Sequence, residues 1–301
     1  MRVRGMRMWM ALGAAALTLT AAGCSNSEGD SGSAPTSVSQ SVTVTKNASL
    51  HDQLPDRIKS SGQLIVGVNV PYSPNEFKDS SGKIVGFDVD VMNKIGTVLG
   101  VTPVYKEADF DKIIPAIQQG TFDVGMSSFT DTREREKTVD FVTYFSAGVQ
   151  WARPAGKNID PNNACGLSVA VQSTTTEDTD ELPAKSQACV DAGKKPINKV
   201  KFDDQASATN ALMLGKVDAM SADSPVTAYA VKQSNGKLEL AGDIFDSAPY
   251  GFPVQKGSPL GPVLQKAVQE LIDSGAFAEV ARSWGVENGV IKQSELNGAI
   301  S

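Results

Sequence analysis

The sequence predicts an α/β fold of two lobes, each a mostly parallel sheet flanked by helices. Three observations carry this. Short apolar runs alternate with amphipathic segments from about Asp52 to Ser127, and the alternation restarts at Leu167. A chain of 301 residues suits two domain-sized units. After Pro249-Tyr250-Gly251 one strand and two helices are left over, too few to bury a third core, so they complete an existing lobe.

In the first unit, Leu64-Ile65-Val66-Gly67-Val68 reads as a strand. Asp88 to Leu99 places Val89, Met92, Ile95 and Leu99 at helical spacing and stops at Gly100. Val101 to Tyr105 is a strand, Asp111 to Gln119 a helix ended by Gly120, and Asp123 to Ser127 a strand. In the second unit, Leu167 to Val171, Val200 to Phe202 and Val217 to Ser221 are strands. Helices open at Thr175 and run over Gln205 to Leu214 and Pro225 to Ser234. The leftover helices are Pro259 to Ser274 and Ala276 to Trp284. The expected boundaries are residues 52–150 plus 250–290 for lobe 1 and 153–246 for lobe 2, with 291–301 as a tail. Two strands are expected to cross between the lobes, near Gly148-Val149-Gln150 and Tyr250-Gly251-Phe252.

The composition, 41% hydrophobic and 21% charged, is that of a globular protein. A net charge of −6 argues against a nucleic-acid partner. The single histidine, His51, excludes a His-centred metal site or a Ser-His-Asp triad in the folded body. No cofactor is expected, and no P-loop is present, so ATP hydrolysis would belong to other subunits.

Residues 1–23 read as an export signal: Arg2, Arg4 and Arg7 precede the apolar run Met8 to Thr20, which is short for a membrane span. Ala21-Ala22-Gly23-Cys24 resembles the bacterial lipobox, with Ala21 where leucine is usual. That resemblance implies cleavage before Cys24 and acylation of its thiol, hence a chain anchored by lipid on the extracytoplasmic face of the bacterial cell membrane. Residues 24–51, rich in Ser, Gly, Thr and Asn, read as a flexible tether. Cys165 and Cys189 are an isolated pair in an exported chain and are expected to form a disulfide, with two buried thiols as the alternative.

The stretch Asp123 to Arg135 carries the binding chemistry. A strand ends at Ser127-Ser128, and a helix begins near Asp131, where Asp131 and Glu134 fit a capping box. Exposed backbone groups and hydroxyls at such a strand end form a natural ligand ledge. Arg135 lies one turn in, where its guanidinium can fork onto a carboxylate, although most helix arginines are solvated.

Several segments, in order, resemble the family 3 bacterial extracellular solute-binding proteins, the polar amino-acid receptors of ABC importers. Thr132, Arg135, Asp140 and Phe141 match a Thr-x-x-Arg then Asp-Phe pattern. Gly86-Phe87-Asp88-Val89-Asp90, Phe110-Asp111-x-x-Ile114-Pro115, Gly215-Lys216-Val217-Asp218-Ala219 with Asp223, and Ser283-Trp284-Gly285 match others. The resemblance covers roughly residues 60 to 285. It implies a periplasmic-binding-protein-like fold with two crossover hinge strands, and a monomer that takes a free L-amino acid between its lobes. Delivery to an ABC permease with its ATPase subunits would follow.

The resemblance also implies a set of ligand contacts. Arg135 grips the α-carboxylate, helped by the Thr176 amide. Thr130 and Ser128 meet the α-ammonium, completed by Asp223 of lobe 2. Tyr72 and Phe110 sandwich the side chain, and Asn69, Ser127 and Gln172 complete the lining. The alternative for Tyr72 and Phe110 is plain core, and for Asp223 a cap before Pro225, a role compatible with ligand contact.

Three departures stand out. Thr174 replaces a frequent glycine, Asn75 a frequent aromatic, and Asn69 an acid common in members selective for basic side chains. Glu76 or Asp109 is then the candidate to supply that charge. An enzyme of the dehydratase type on the same fold, or a sensor acting through a separate partner, are the competing readings, and neither is preferred.

Overall fold

A computed structural model describes residues 42–300. The expected signal segment, Cys24 and the tether as far as Ser41 lie outside the described residues, as does Ser301. Among the described residues no helix is long and apolar enough to cross a membrane.

Two short helices, α1 (Ala48–Asp52) and α2 (Asp56–Ser61), lead into β1 (Gln63–Val68). A small hairpin of β2 (Phe77–Lys78) and β3 (Ile84–Val85) precedes α3 (Phe87–Leu99). Then follow β4 (Thr102–Glu107), α4 (Phe110–Gln118), β5 (Val124–Gly125) and the single-turn α5 (Arg133–Glu136). The long β6 (Val139–Pro154) leaves this lobe. The second contains β7 (Ser168–Gln172), a π-helical turn (Glu177–Glu181) running into α6 (Leu182–Asp191), and β8 (Asn198–Phe202). It continues with α7 (Gln205–Met213), β9 (Ala219–Asp223) and α8 (Ser224–Gln233). The chain returns along β10 (Leu238–Gln255) and ends its regular structure with α9 (Leu260–Asp273) and α10 (Ala276–Trp284).

The strands order as β4-β1-β5-β10-β6-β9-β7-β8. Within each lobe the outer pairs are parallel: β1 with β4 and β5, β7 with β8 and β9. The apolar runs of β1, β7 and β9 follow from burial on both faces, while β4 and β8 form the exposed edges. The central pair, β6 and β10, is antiparallel along nearly its whole length and belongs to both lobes. Ala147 pairs with Ala248 and Val149 with Phe245, with register shifts on β10 on either side of Phe245. The β10 residues opposite 147–149 are thus 245–248, just ahead of the expected Tyr250-Gly251-Phe252. At Gly148 a Cβ would come within 2.6 Å of Ile244 Cγ2 and the Phe245 carbonyl, so only glycine lets the two crossing strands approach.

Lobe 1 has its main core between β1, α3, α9 and α10 on one face of the sheet, and a smaller cluster of Ile113, Ile117, Phe129, Val139 and Phe141 on the other. The leftover helices thus fill an existing core. Lobe 2 has apolar clusters on both faces of its sheet, and one of them includes Tyr72 from the first lobe. Cys165 and Cys189 are joined by a disulfide that ties the segment before β7 to α6. Closing a loop of this size constrains the unfolded chain by roughly 3–4 kcal/mol.

Residues 42–51, read as tether, are instead seated on lobe 1. Val42 and Val44 pack against its core and Leu50 is buried in it. The Val42 amide donates to Glu279 Oε2 at 2.8 Å, and the Asn47 amide to the Val98 carbonyl at 2.8 Å. A few apolar side chains and backbone pairing outweigh the polar composition. Asn47 also caps α1, accepting the Leu50 amide.

Candidate ligand-binding site

The Ser127-Ser128 ledge forms just after β5, with Ser128 in the left-handed region at φ 49°. Two buried carboxyls hold it. The Ser128 amide and hydroxyl donate to Asp88 Oδ2 at 3.1 and 3.0 Å, and the Tyr144 hydroxyl joins them at 2.8 Å. The Ser127 hydroxyl donates to Glu76 Oε1 at 2.8 Å. Asn75 Nδ2 donates to Ser128 Oγ at 2.8 Å, so the amide in the usual aromatic position braces the same ledge.

Burial pushes Asp88 up to about 6 and Glu76 well above the usual carboxylate range. Glu76 Oε2 and Asp88 Oδ1 lack donors, and the charge of Asp88 adds to the rise of Glu76. Glu76 is completely buried behind Ser127 and is absent from the pocket lining. Asp109 is exposed just ahead of α4. Neither residue expected to supply a side-chain charge faces the pocket.

Arg135 sits on α5, whose N-cap is Thr132: its side chain accepts the Arg135 amide at 3.2 Å. The expected capping box at Asp131 and Glu134 does not form, because Asp131 turns to the Gly298 amide instead, at 2.8 Å. Arg135 Nη1 donates to the Thr130 carbonyl at 2.8 Å, and Nη2 reaches the Thr174 carbonyl of lobe 2 at 3.1 Å. The guanidinium lies 5.6 Å from the centres of both Phe110 and Phe129, which stack on each other at 4.4 Å. Phe110 is thus half-buried between core and pocket, and attracts the cation through its ring.

Thr174 stands where glycine is frequent and adopts φ 65°, a conformation that strains a β-branched residue. Its amide is held by Asp178 Oδ2 at 2.8 Å, and its carbonyl is thereby aimed at Arg135. Gln172, ending β7, donates to Asn69 Oδ1 across the cleft at 2.9 Å. Asn69 in turn donates to the Ala108 carbonyl at 3.0 Å. Asp223 ends β9 and receives the Tyr72 hydroxyl at 2.5 Å. Burial first, and then the charge of Glu177, raise Asp223 well above its ordinary value.

Every one of Asn69, Tyr72, Phe110, Ser127, Ser128, Thr130, Arg135, Gln172, Thr176 and Asp223 lines one pocket of about 280 Å³. Thr175 and Glu177 line it too, and sequence reasoning missed both. Glu177 is buried, its Oε1 lacks a donor, and burial raises its pKa. In sequence it looks like an ordinary first-turn acid favoured by the helix dipole. One cation and two carboxylates from opposing walls complement a small molecule bearing both charges. Among the described residues no group of three or more His, Cys, Asp or Glu is placed to hold a metal ion.

Two α/β lobes joined by paired crossing strands, with a polar pocket between them, define a two-lobed solute-binding protein. Residues 64–287 match the model of the bacterial extracellular solute-binding proteins, family 3, and the chain belongs to that family. It is 41% identical over 246 residues to the arginine-binding protein ArgT of Corynebacterium glutamicum, a match covering 81% of each chain. An ancestral arginine-binding protein bound to arginine superposes with a TM-score of 0.68 at 36% identity, covering 74% of this chain and 98% of that one. An ancestral amino acid-binding protein described as a precursor of cyclohexadienyl dehydratase gives 0.66 at 31% identity, covering 76% and 98%.

Proposed function

We propose that this protein is the extracytoplasmic amino-acid receptor of an ABC importer, and that its ligand is a free L-amino acid with a cationic side chain, arginine foremost. The observation that carries the reading is the charge of the closed pocket: Arg135 faces Asp223 and Glu177. The ligand α-carboxylate goes to Arg135 and the Thr175 and Thr176 backbone, and its α-ammonium to Asp223 with Thr130 and Ser128. A neutral side chain leaves one negative charge unbalanced in a dehydrated site; a guanidinium or ammonium cancels it. The arginine-binding relatives support the same assignment. Tyr72 and Phe110 flank the side chain, while Asn69, Ser127 and Gln172 supply neutral hydrogen-bonding groups.

The chain is a receptor and not a catalyst: binding accounts for the polar groups that line the pocket. It acts as a monomer, anchored through an acylated Cys24, and passes its ligand to a permease. Calorimetry with arginine, lysine, glutamine and N-acetylarginine tests the ligand assignment. Arginine and lysine should bind more tightly than glutamine, and the acetylated compound poorly. Tighter binding of glutamine than of either base overturns the cationic assignment. Recovery of unchanged amino acid after incubation, by mass spectrometry, checks the receptor reading. Loss of detergent-phase partitioning in Cys24→Ala checks the anchor.

A further inference from the structure

Residues 294–299 lie beyond the family match, which ends at 287, yet they are tied to the lobe 1 end of β6. The Ser294 hydroxyl donates to the Thr143 carbonyl at 2.7 Å, and the Thr143 hydroxyl receives the Glu295 amide at 2.7 Å. Leu296 bridges Val142 in antiparallel fashion. Asn297 donates through Nδ2 to Asp140 Oδ1 and receives the Phe141 amide on Oδ1, both at 2.9 Å.

The next two amides reach the helix that bears Arg135. Gly298 donates to Asp131 Oδ2 at 2.8 Å, just before α5, and Ala299 to Glu136 Oε1 at 3.0 Å, at its end. A helix of one turn has no cooperative stability of its own, so its orientation depends on what grips its ends. Asp131 is completely buried, and its other oxygen lacks a donor.

We infer that residues 294–299 are a strap that positions Arg135 for the ligand carboxylate. This rests on the reading of Arg135 as the carboxylate clamp. Holding α5 in place before the ligand arrives removes an ordering cost from binding.

The test compares the parent, a chain lacking residues 294–301, and Asn297→Ala. Each is titrated with arginine and with its decarboxylated analogue, with and without Arg135→Ala. The strap variants should bind arginine about tenfold more weakly, as expected for a displaced charged contact. The decarboxylated amine should be unaffected, and in the Arg135→Ala background the strap changes should cost nothing further. Undiminished arginine binding in both strap variants overturns the strap. So does equal loss for arginine and the amine, or losses additive with Arg135→Ala. If Arg135→Ala alone binds arginine like the parent, the clamp reading fails instead. Should the shortened chain not fold by circular dichroism, Asn297→Ala decides.

Discussion

The Tyr72 hydroxyl and the Asp223 carboxylate meet across the cleft at 2.5 Å, one from each lobe. This contact joins the two lobes at the point proposed for the ligand ammonium. Tyr72→Phe keeps the ring and removes one hydrogen bond, so amino-acid affinity should fall by only about 0.5–1.5 kcal/mol. Tyr72→Ala should cost more and alter the ranking of side chains, because the ring flanks the variable group. Calorimetry over several amino acids separates the two; an unchanged ranking in Tyr72→Ala counts against the side-chain contact.

Arg135→Ala should weaken amino-acid binding by about 3–5 kcal/mol, because the ligand carboxylate is left buried without a partner. Parent-like affinity in a direct titration removes Arg135 from the ligand contacts.

Ligand binding should release protons from the pocket acids. Burial raises Asp223 and Glu177 above their ordinary values, so without ligand they hold protons to higher pH than free carboxyls do. An incoming cation favours their ionised forms and expels those protons. Affinity should therefore fall as pH drops through the raised pKa values, with weaker binding at pH 5 than at pH 8. Titrations in buffers of different ionisation enthalpy measure the released protons; identical heats in all buffers contradict the prediction.

Stability without ligand should run the other way. Burial lifts Asp88 to about 6, and Glu181 and Asp131 to about 7. Carboxyls with raised folded pKa values favour the folded state fully below their unfolded values near 4. That contribution is lost as pH rises through about 6 to 7. Asp140 and Asp178 are shifted down and so act below this window. Denaturant midpoints should be higher at pH 5 than at pH 8. Glu181 accepts from Trp151 Nε1 at 2.9 Å and Ser221 Oγ at 2.7 Å, and an amide can satisfy both. Glu181→Gln should therefore fold normally and show a shallower decline.

Thr174→Gly should stabilise the protein by about 1 kcal/mol: relief of a left-handed β-branched residue exceeds the unfolded-state entropy that glycine adds. Thermal or chemical melts measure it, and a destabilised variant means the strain is compensated by the contacts of the threonine side chain.

Much of this was legible in local pattern. Helical spacing from Val89 to Leu99 and the stop at Gly100 mark α3, and continuous apolar runs mark strands buried on both faces. The surplus helices after residue 255 had to join an existing core, because they cannot bury their own faces. The ordered motifs singled out ten residues that converge on one pocket. The Cys165–Cys189 bond was expected from an isolated pair in a chain read as exported.

The remaining features depend on partners far away in sequence. Asp131 looked like a helix cap, but the Gly298 amide, 167 positions on, takes its carboxylate and leaves the cap to Thr132. Glu76 looked like a pocket acid, but Ser127 and Asp88 close it off. Glu177 looked like a helix-start acid, yet burial beside Arg135 makes it part of the lining. Residues 42–51 and 294–299 are polar enough to pass for tether and tail, and only lobe 1 offers the backbone groups and apolar recesses that hold them. Periodicity determines which face of an element turns inward. Which charges meet, and which polar side chains are sealed from water, is decided only when distant segments pack together.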